Sequence, residues 1–391
     1  MTIELVPTEL ASGGDAIARD GSGKAVFIRG ALPGERVKVE ILAERRRFSL
    51  ARVSEIVDPS PLRVEPVCPE VDRGCGACQW QHMGVSTQLE TKGKLIVDSI
   101  RRIGGFEPPA LGPAVELQPW AFRTTVRAGV VDGTAGFYRV RSNSVLPVDA
   151  CAVAHPLLAE LLVGRRYLGA EEVLLRCGAR SGERLVSTQP TSILADVPDD
   201  VRRDYLHEYA AGRSWRISAA SFFQTRPDGV DALASLVVAA ASVFDAPSRA
   251  IDLYSGVGLF AGVLAERGWS VTAVEGSRTA VTDARINLGG LDVRCIRCDV
   301  NRWSPSRAQL VVADPSRVGL GSQVVRAVVK TGARRVVLIS CDAVSLARDT
   351  ALLRSAGYEM TSLTQVDLFP HTFHVEVVAI FDASDFVQVS S

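Results

Sequence analysis

The sequence predicts an α/β protein in three parts: a small N-terminal β-barrel, a central mixed α+β domain and a C-terminal doubly wound domain. Residues 1–57 hold short strands broken by glycine turns, "GKAVFIRG", "ERVKVEILAE" and "LARVSEIV", which suits a small barrel. The stretch "DPSPLRVEPVCP" then places four prolines in twelve residues and marks a domain boundary. From residue 216 onward apolar strands alternate with helix-length segments: "RAIDLYSG", "GWSVTAVEGS", "AQLVVADPS", "ARRVVLISCD" and "HVEVVAIFD". A largely parallel sheet with helices on both faces reads in this way. Residues 58–215 carry a cysteine cluster, an expected helix from Val85 to Ile103 and a strand-like "TTVRAGVV".

Composition narrows the function classes. The 391 residues are 47% hydrophobic and 23% charged, as in a soluble globular protein of two or three domains. Lys plus Arg and Asp plus Glu both number 44, so no whole-molecule field draws polyanions, and any nucleic-acid footprint is local. "ERRRFSLAR" is the candidate, with Arg45, Arg46, Arg47 and Arg52 around Phe48; a solvated charged loop is the alternative. "MTIELVPTEL" lacks a secretory pattern, and no apolar run approaches the roughly 20 residues of a membrane helix. The expectation is a cytoplasmic protein with no membrane partner, acting as a monomer, its eight cysteines reduced.

The most informative stretch is "AIDLYSGVGLFAGVLAERGWSVTAVEGS". A strand, Ala250–Leu253, carries Asp252 near its end. Gly256 and Gly258 form a tight turn, a helix is expected from about Leu259 to Arg267, and a second strand, Val271–Val274, ends in Glu275. Glycines let backbone approach a ligand, and an acid ending the second strand can accept both ribose hydroxyls. The third glycine of the dinucleotide motif is missing; Asp252-Leu-Tyr-Ser-Gly256-Val-Gly258 matches the S-adenosylmethionine variant instead. A lone Gly-x-Gly is common in ordinary turns, and only the strand–turn–helix–strand–acid context makes it a cofactor site. Asp299 ends the next strand, where an acid can meet the adenine amino group; an exposed loop carboxylate is its bland reading. Asp314, in "VVADPSRVGLG", ends the fourth strand at the same carboxyl edge, where α/β sheets bind ligands. Pro315 blocks a helix and Gly319 and Gly321 loosen the segment, so a site loop is expected.

Cys341 follows the apolar run Val336–Ile339 onto that edge. Free cysteines are usually buried packing. Here Ser340 and Asp342 fit a sheet rim, and a helix beginning near Ser345 would turn its positive end toward the thiol and favour the thiolate. "FPHTFHVEVVAIF" brings His371, His374 and Glu376 to the next strand. A thiolate beside a methyl sulfonium suits a pyrimidine: C5 of uracil is a weak nucleophile until a thiolate adds to C6. A base must then remove the C5 proton, and Glu376 in an apolar setting is the candidate, against a salt-bridged strand carboxylate.

At these residues the chain resembles the RNA uridine-5 methyltransferases of the 23S rRNA (uracil-5-)-methyltransferase type, with their transfer-RNA relatives. The matching segments are "SFFQT" (Ser221–Thr225), "DLYSGVG", "DPSRVG", "SCDAVSLARD" and "FPHTFHVE". With an OB/TRAM-like barrel and the cysteine cluster, the likeness covers nearly the whole chain. It implies a C-terminal S-adenosylmethionine-dependent methyltransferase domain, with Cys341 as nucleophile and Glu376 as general base. Gln224, Tyr254, Gly256, Gly258, Glu275, Asp299 and Asp314 would bind the cofactor, and Arg317 would position substrate or loop. Ser316 stands where the family carries a second proline, and Ala343 and Val344 follow "SCD" where a Pro-Ala pair is commoner.

Cys68, Cys75 and Cys78 are spaced C-x6-C-x2-C, which fits zinc or an iron–sulfur cluster equally. The resemblance implies a [4Fe–4S] cluster, with Cys151 as fourth ligand and a role in structure or RNA docking. Cys295 and Cys298 form a second C-x-x-C without a partner pair and read as structural. Phe222, Phe223, Phe369, His371 and Phe373 could stack on an extruded base. The reading is an enzyme forming 5-methyluridine in rRNA or tRNA through a covalent cysteine–uracil adduct. A methyltransferase acting on cytosine and a catalytically silent RNA-binding or chaperone protein are the rivals.

Overall fold

The computed structural model describes residues 2–191, 196–201, 204–384 and 386. Six strands, β1 (Thr2–Leu5), β2 (Glu9–Leu10), β3 (Ala16–Arg19), β4 (Ala25–Arg29), β5 (Arg36–Glu44) and β6 (Phe48–Asp58), form one sheet in the order β1-β5-β6-β4-β3-β2. Alternate residues turn inward, so that Val26, Ile28, Val37, Val39 and Ala51 make a small core. The β5–β6 turn leaves Arg45, Arg46 and Arg47 exposed, whereas Arg52 is bridged to Glu40 at 2.7 Å. The proline-rich linker is docked by Arg63, which pairs with buried Glu35 and donates to the Gly30 carbonyl at 2.7 Å.

The central region opens with α1 (Val85–Ser99), which runs on into one π-helical turn, Ile100–Gly104. A five-stranded antiparallel sheet follows. Its strands β7 (Thr125–Val131), β8 (Thr134–Tyr138), β9 (Val145–Pro147), β10 (Glu172–Cys177) and β11 (Arg184–Gln189) take the order β11-β10-β7-β8-β9, with α2 (Pro156–Leu162) packed against β10. A hairpin, β12 (Tyr205–Ala210) and β13 (Arg213–Ser218), crosses the boundary expected between residues 215 and 216. Trp215 explains why: its buried ring joins the core of the following domain beside Gly262 and Leu288.

After α3 (Pro227–Ala241) the alternating pattern resolves into β14 (Arg249–Leu253), α4 (Leu259–Ala265), β15 (Ser270–Glu275), α5 (Arg278–Asn287) and β16 (Val293–Arg297). It continues through β17 (Leu310–Ala313), α6 (Gly321–Thr331), β18 (Arg335–Ser340), α7 (Ala343–Ser355), β19 (Tyr358–Gln365) and β20 (Val377–Ala383). The sheet order is β16-β15-β14-β17-β18-β20-β19, with β20 antiparallel to both neighbours and the rest parallel. Its two faces feed two cores: Ala250, Val312 and Val337 on one side, Ile251, Val311 and Val336 on the other. The order reverses between β14 and β17, which places a crevice at their carboxyl ends. Among the described residues no helix is long and apolar enough to cross a membrane.

Candidate active site

Leaving β14, the chain passes through three left-handed residues, Tyr254 (φ 60°), Gly256 (φ 54°) and Gly258 (φ 97°). A Cβ at position 258 would meet Leu288 at 2.6 Å, so only glycine lets α4 start there. At position 256 a Cβ would meet nothing nearer than the Phe222 carbonyl at 3.8 Å, which leaves open space in front of the turn. Asp252 turns the other way: it is buried, and its Oδ2 accepts from Ala261 N at 2.9 Å, tying β14 to α4. Glu275 ends β15 beside the turn, accepting from Gly256 N at 2.9 Å and Ser277 N at 2.7 Å. Asp299 is exposed and holds the turn after β16 through Asn301, whose hydrogen bonds keep its carboxyl below the usual range. Tyr254 lies directly beyond β14 on the same edge, and burial, then the charges of Asp349 and Asp299, push its phenol up to about 12.

The neighbouring strands supply the reactive groups. Gln224 follows β13 in a segment fixed by Asp283, which accepts from Ser221 Oγ at 2.6 Å and Ser218 N at 2.8 Å. Its Nε2 donates to Asp314 Oδ2 at 3.2 Å, just beyond β17. The loop after Asp314 is pinned by Asp349 of α7, which accepts from Leu320 N at 2.6 Å and Gly321 N at 3.0 Å. Arg317 in that loop donates to His374 Nε2 at 3.2 Å; burial pushes His374 down to about 4, so the ring is neutral and can accept. Cys341 follows β18 and is half-buried. Glu376 directly precedes β20; it is 2% exposed, and its Oε1 has no hydrogen-bond partner among the described residues.

These groups act on one another. Burial raises the Glu376 carboxyl well above the usual range, and the Asp314 charge raises it further. Burial likewise pushes Asp314 up to about 7, against the Gln224 hydrogen bond. Cys341 is pushed up to about 12, first by burial and then by the charges of Glu376 and Asp314, with Arg317 opposing. The expectation that the helix end favours the thiolate is therefore corrected. Asp342 caps α7 by accepting from Ser345 N at 2.7 Å, which answers the helix's positive end, and the charges of buried Glu376 and part-buried Asp314 disfavour a thiolate. Of the five candidate stacking rings, Phe222 is 65% exposed, Phe369 and Phe373 are part-buried, and Phe223 and His371 are buried in packing.

The central region gathers four more thiols. Cys68, Cys75, Cys78 and Cys151 line one small pocket with Phe137 and Val153, although Cys151 lies 73 residues beyond Cys78 in the chain. Burial pushes Cys75 up to about 11, and the other three thiols add to the rise. Among the described residues no three His, Cys, Asp or Glu side chains are close enough to hold a single metal ion. Cys295 and Cys298 stand apart at β16, with Cys298 Sγ donating to the Asp299 carbonyl at 3.2 Å.

A family model for the TRAM domain matches residues 2–54. An uncharacterized RNA methyltransferase of Streptomyces avermitilis is 36% identical, over 97% of both chains. The chain belongs to the RNA methyltransferases. A second relative of this methyltransferase, from Aeromonas hydrophila, is named 23S rRNA (uracil(1939)-C(5))-methyltransferase and is 31% identical over 92% of both chains. The crystal structure of the Pyrococcus abyssi tRNA (uracil-54, C5)-methyltransferase with S-adenosyl-L-homocysteine superposes with a TM-score of 0.74. It is 21% identical, matches 97% of this chain and 100% of its own, and shows that the fold is shared.

Asp283 escaped the sequence reading as an ordinary helix carboxylate, and Asp349, although it closes the segment "SCDAVSLARD", was given no role there; the loops they hold reveal both. Asp314 yields a stability prediction. Its carboxyl keeps its proton to about pH 7 in the fold but ionises near 3.8 when unfolded. Folding then binds a proton between those values, and stability falls as pH rises across them. Asp314→Asn is expected to stabilise the ligand-free methyltransferase at pH 8 by about 2 kcal/mol, after discounting for water at the cleft. Urea denaturation should show that gain shrinking away as pH falls toward about 4.

Proposed function

We propose that this methyltransferase forms 5-methyluridine in RNA, with S-adenosylmethionine as methyl donor and Cys341 as covalent catalyst. The position of Asp314, Cys341 and Glu376 at the ends of the adjacent strands β17, β18 and β20 carries the reading. A relative named for uracil C5 supports it. The open space before Gly256, the Glu275 carboxylate and the Asp299 rim fit a nucleoside cofactor at the crevice. That cofactor supplies an electrophilic methyl group on a sulfonium.

The chain's own residues do the rest. Cys341 Sγ loses its proton and adds to C6 of uracil, and the displaced electron pair makes C5 nucleophilic. C5 takes the methyl group. Glu376 then removes the C5 proton, the electron pair restores the C5–C6 double bond, and the bond from sulfur to C6 breaks to return the thiolate. Two carboxyls with raised proton affinity have room for both protons, one from sulfur and one from C5. Asp314 must start ionised to take the proton from sulfur, so methyl transfer is expected to rise with pH across about 7. A single-turnover pH profile checks this, and a rate already flat below pH 6 would contradict it.

Phe222 offers an open face on which an extruded base can stack, and Arg45, Arg46 and Arg47 give the TRAM domain a local footprint for phosphates. The decisive assay incubates the enzyme and S-adenosylmethionine with rRNA and with tRNA from a strain lacking the gene. Nucleoside mass spectrometry should find 5-methyluridine in one of them. 5-Methylcytidine instead would place the chemistry on cytosine, and no methylation of either would favour an RNA-binding role.

For Cys68, Cys75, Cys78 and Cys151 we favour a [4Fe–4S] cluster over zinc. A single zinc ion needs its sulfurs within about 2.3 Å of one point. A cluster bonds each thiolate to a different iron, and the four thiols share one small pocket. Bound there, it would cross-link residues 68 to 78 with Cys151. Anaerobic preparations are expected to be brown with about four irons per chain and no stoichiometric zinc, and Cys78→Ser to lose both colour and iron.

A further inference from the structure

Glu376 ends a loop, residues 366–376, that leaves β19 and returns as β20, with its base closed by Val366 N donating to the Glu376 carbonyl at 2.9 Å. Many of the polar contacts gripping this loop come from the central region, chiefly from α1. Lys92 Nζ donates to Asp367 Oδ1 at 2.8 Å and to the Phe369 carbonyl at 2.9 Å. Gln88 Oε1 accepts from His371 N at 2.6 Å, while its Nε2 donates to the carbonyls of Trp80 at 3.0 Å and Met83 at 2.8 Å. Trp80 N closes the set by donating to the His371 carbonyl at 2.9 Å. His371 itself has φ 65°, a conformation an L-residue keeps only when its surroundings hold it, and it stacks on Trp120 with ring centroids 3.8 Å apart.

We infer that Lys92 and Gln88 are positioning residues, which set the place of the Glu376 base from a different part of the chain. This rests on the covalent reading above. Lys92 is 1% exposed, Gln88 0% and Asp367 3%. A helix that only had to adhere to the loop could do so with apolar side chains at equal or greater stability, because burying a charge pair costs much of what the pair returns. What the charged pair and the amide fork add is direction: they accept one register of the loop and leave a buried charge or amide unsatisfied in any other. Cys341 is held between β18 and α7, and the side-chain hydrogen bonds of Lys92 and Gln88 go to the loop, Trp80 and Met83 rather than to those elements.

The two halves of the reaction should therefore come apart. Attack by Cys341 and methyl transfer to C5 do not need Glu376 as a base. Removal of the C5 proton does, because it must pass to Glu376 as the electron pair re-forms the double bond and expels the thiolate. An ångström of displacement at the base is worth about 100-fold in that step.

The test uses the full-length enzyme, radiolabelled S-adenosylmethionine and ordinary uridine-containing rRNA and tRNA from a strain lacking the gene. The variants are Gln88→Leu, Lys92→Met and the double variant Lys92→Met/Asp367→Leu, which leaves no unpaired buried carboxylate. A parallel reaction of the wild type with 5-fluorouridine RNA reports the covalent chemistry itself. The expected result is a first-turnover methyl burst close to wild type, steady-state turnover lower by about 100-fold, and a methylated protein–RNA complex that survives denaturing gels. Natively melting variants that turn over like wild type would overturn the positioning role, as would a double variant that loses burst and turnover in proportion. If the wild type forms no complex with 5-fluorouridine RNA, the covalent reading falls first and this inference with it.

Discussion

Cys341→Ser is expected to reduce RNA methylation by at least about 10⁴-fold, the scale on which enzymes lose rate with their covalent nucleophile. The protein should still fold, because the thiol is half-buried and forms no disulfide. The reason for so large a loss is specific to the substrate. Without a bond at C6, C5 of uracil is too poor a nucleophile to take the methyl group, and the remaining residues can only hold the reactants together. Unchanged RNA binding by gel shift, beside absent methylation, is the pattern to look for. A serine variant retaining a tenth of wild-type activity would mean that carbon is activated in some other way.

Glu376→Gln is the second large effect, and its form differs. Steady-state turnover should fall by roughly 10²–10⁴-fold, while methyl transfer in the first turnover survives. The amide fills the same buried space but cannot accept a proton, so the methylated adduct has no route to eliminate sulfur. It should accumulate on natural uridine RNA as a complex stable to denaturation, a stronger version of the behaviour expected of Lys92→Met. Loss of the first-turnover burst as well would assign Glu376 to activation of Cys341 rather than to the C5 proton.

The C-terminal domain was legible because its central strands are buried on both faces. Val311–Ala313 and Val336–Ile339 are continuous apolar runs, and such runs alternating with helices have few other solutions. The edge on which Tyr254, Glu275, Asp299, Asp314 and Cys341 gather followed from the same alternation, since each of them lies at or just beyond a strand's carboxyl end. The central region resisted for the opposite reason. β12 and β13 alternate polar with apolar residues, and Leu206, Ala210, Trp215 and Ile217, reaching together into the neighbouring core, explain their place.

Pairings across long chain separations were invisible. Lys92 on α1 looks like one solvated charge among several, and its partner Asp367 comes 275 residues later. Cys151 was recoverable only from the resemblance, because nothing in the 72 intervening residues points back to Cys78. The electrostatics of Cys341 were misjudged for a related reason. The helix beside it could be foreseen, but the cap by Asp342 and the charges of Glu376 and Asp314 depend on the fold.

The most direct measurement incubates the enzyme with S-adenosylmethionine and RNA carrying 5-fluorouridine, then maps any protein–RNA cross-link by mass spectrometry. Fluorine at C5 cannot leave as a proton does, so the reaction should halt after methyl transfer. The tryptic peptide Val336–Arg348 should then carry, on Cys341, a nucleotide bearing both fluorine and the new methyl group. A cross-link on another cysteine, or none from an enzyme that still makes 5-methyluridine in ordinary RNA, would contradict the covalent role of Cys341.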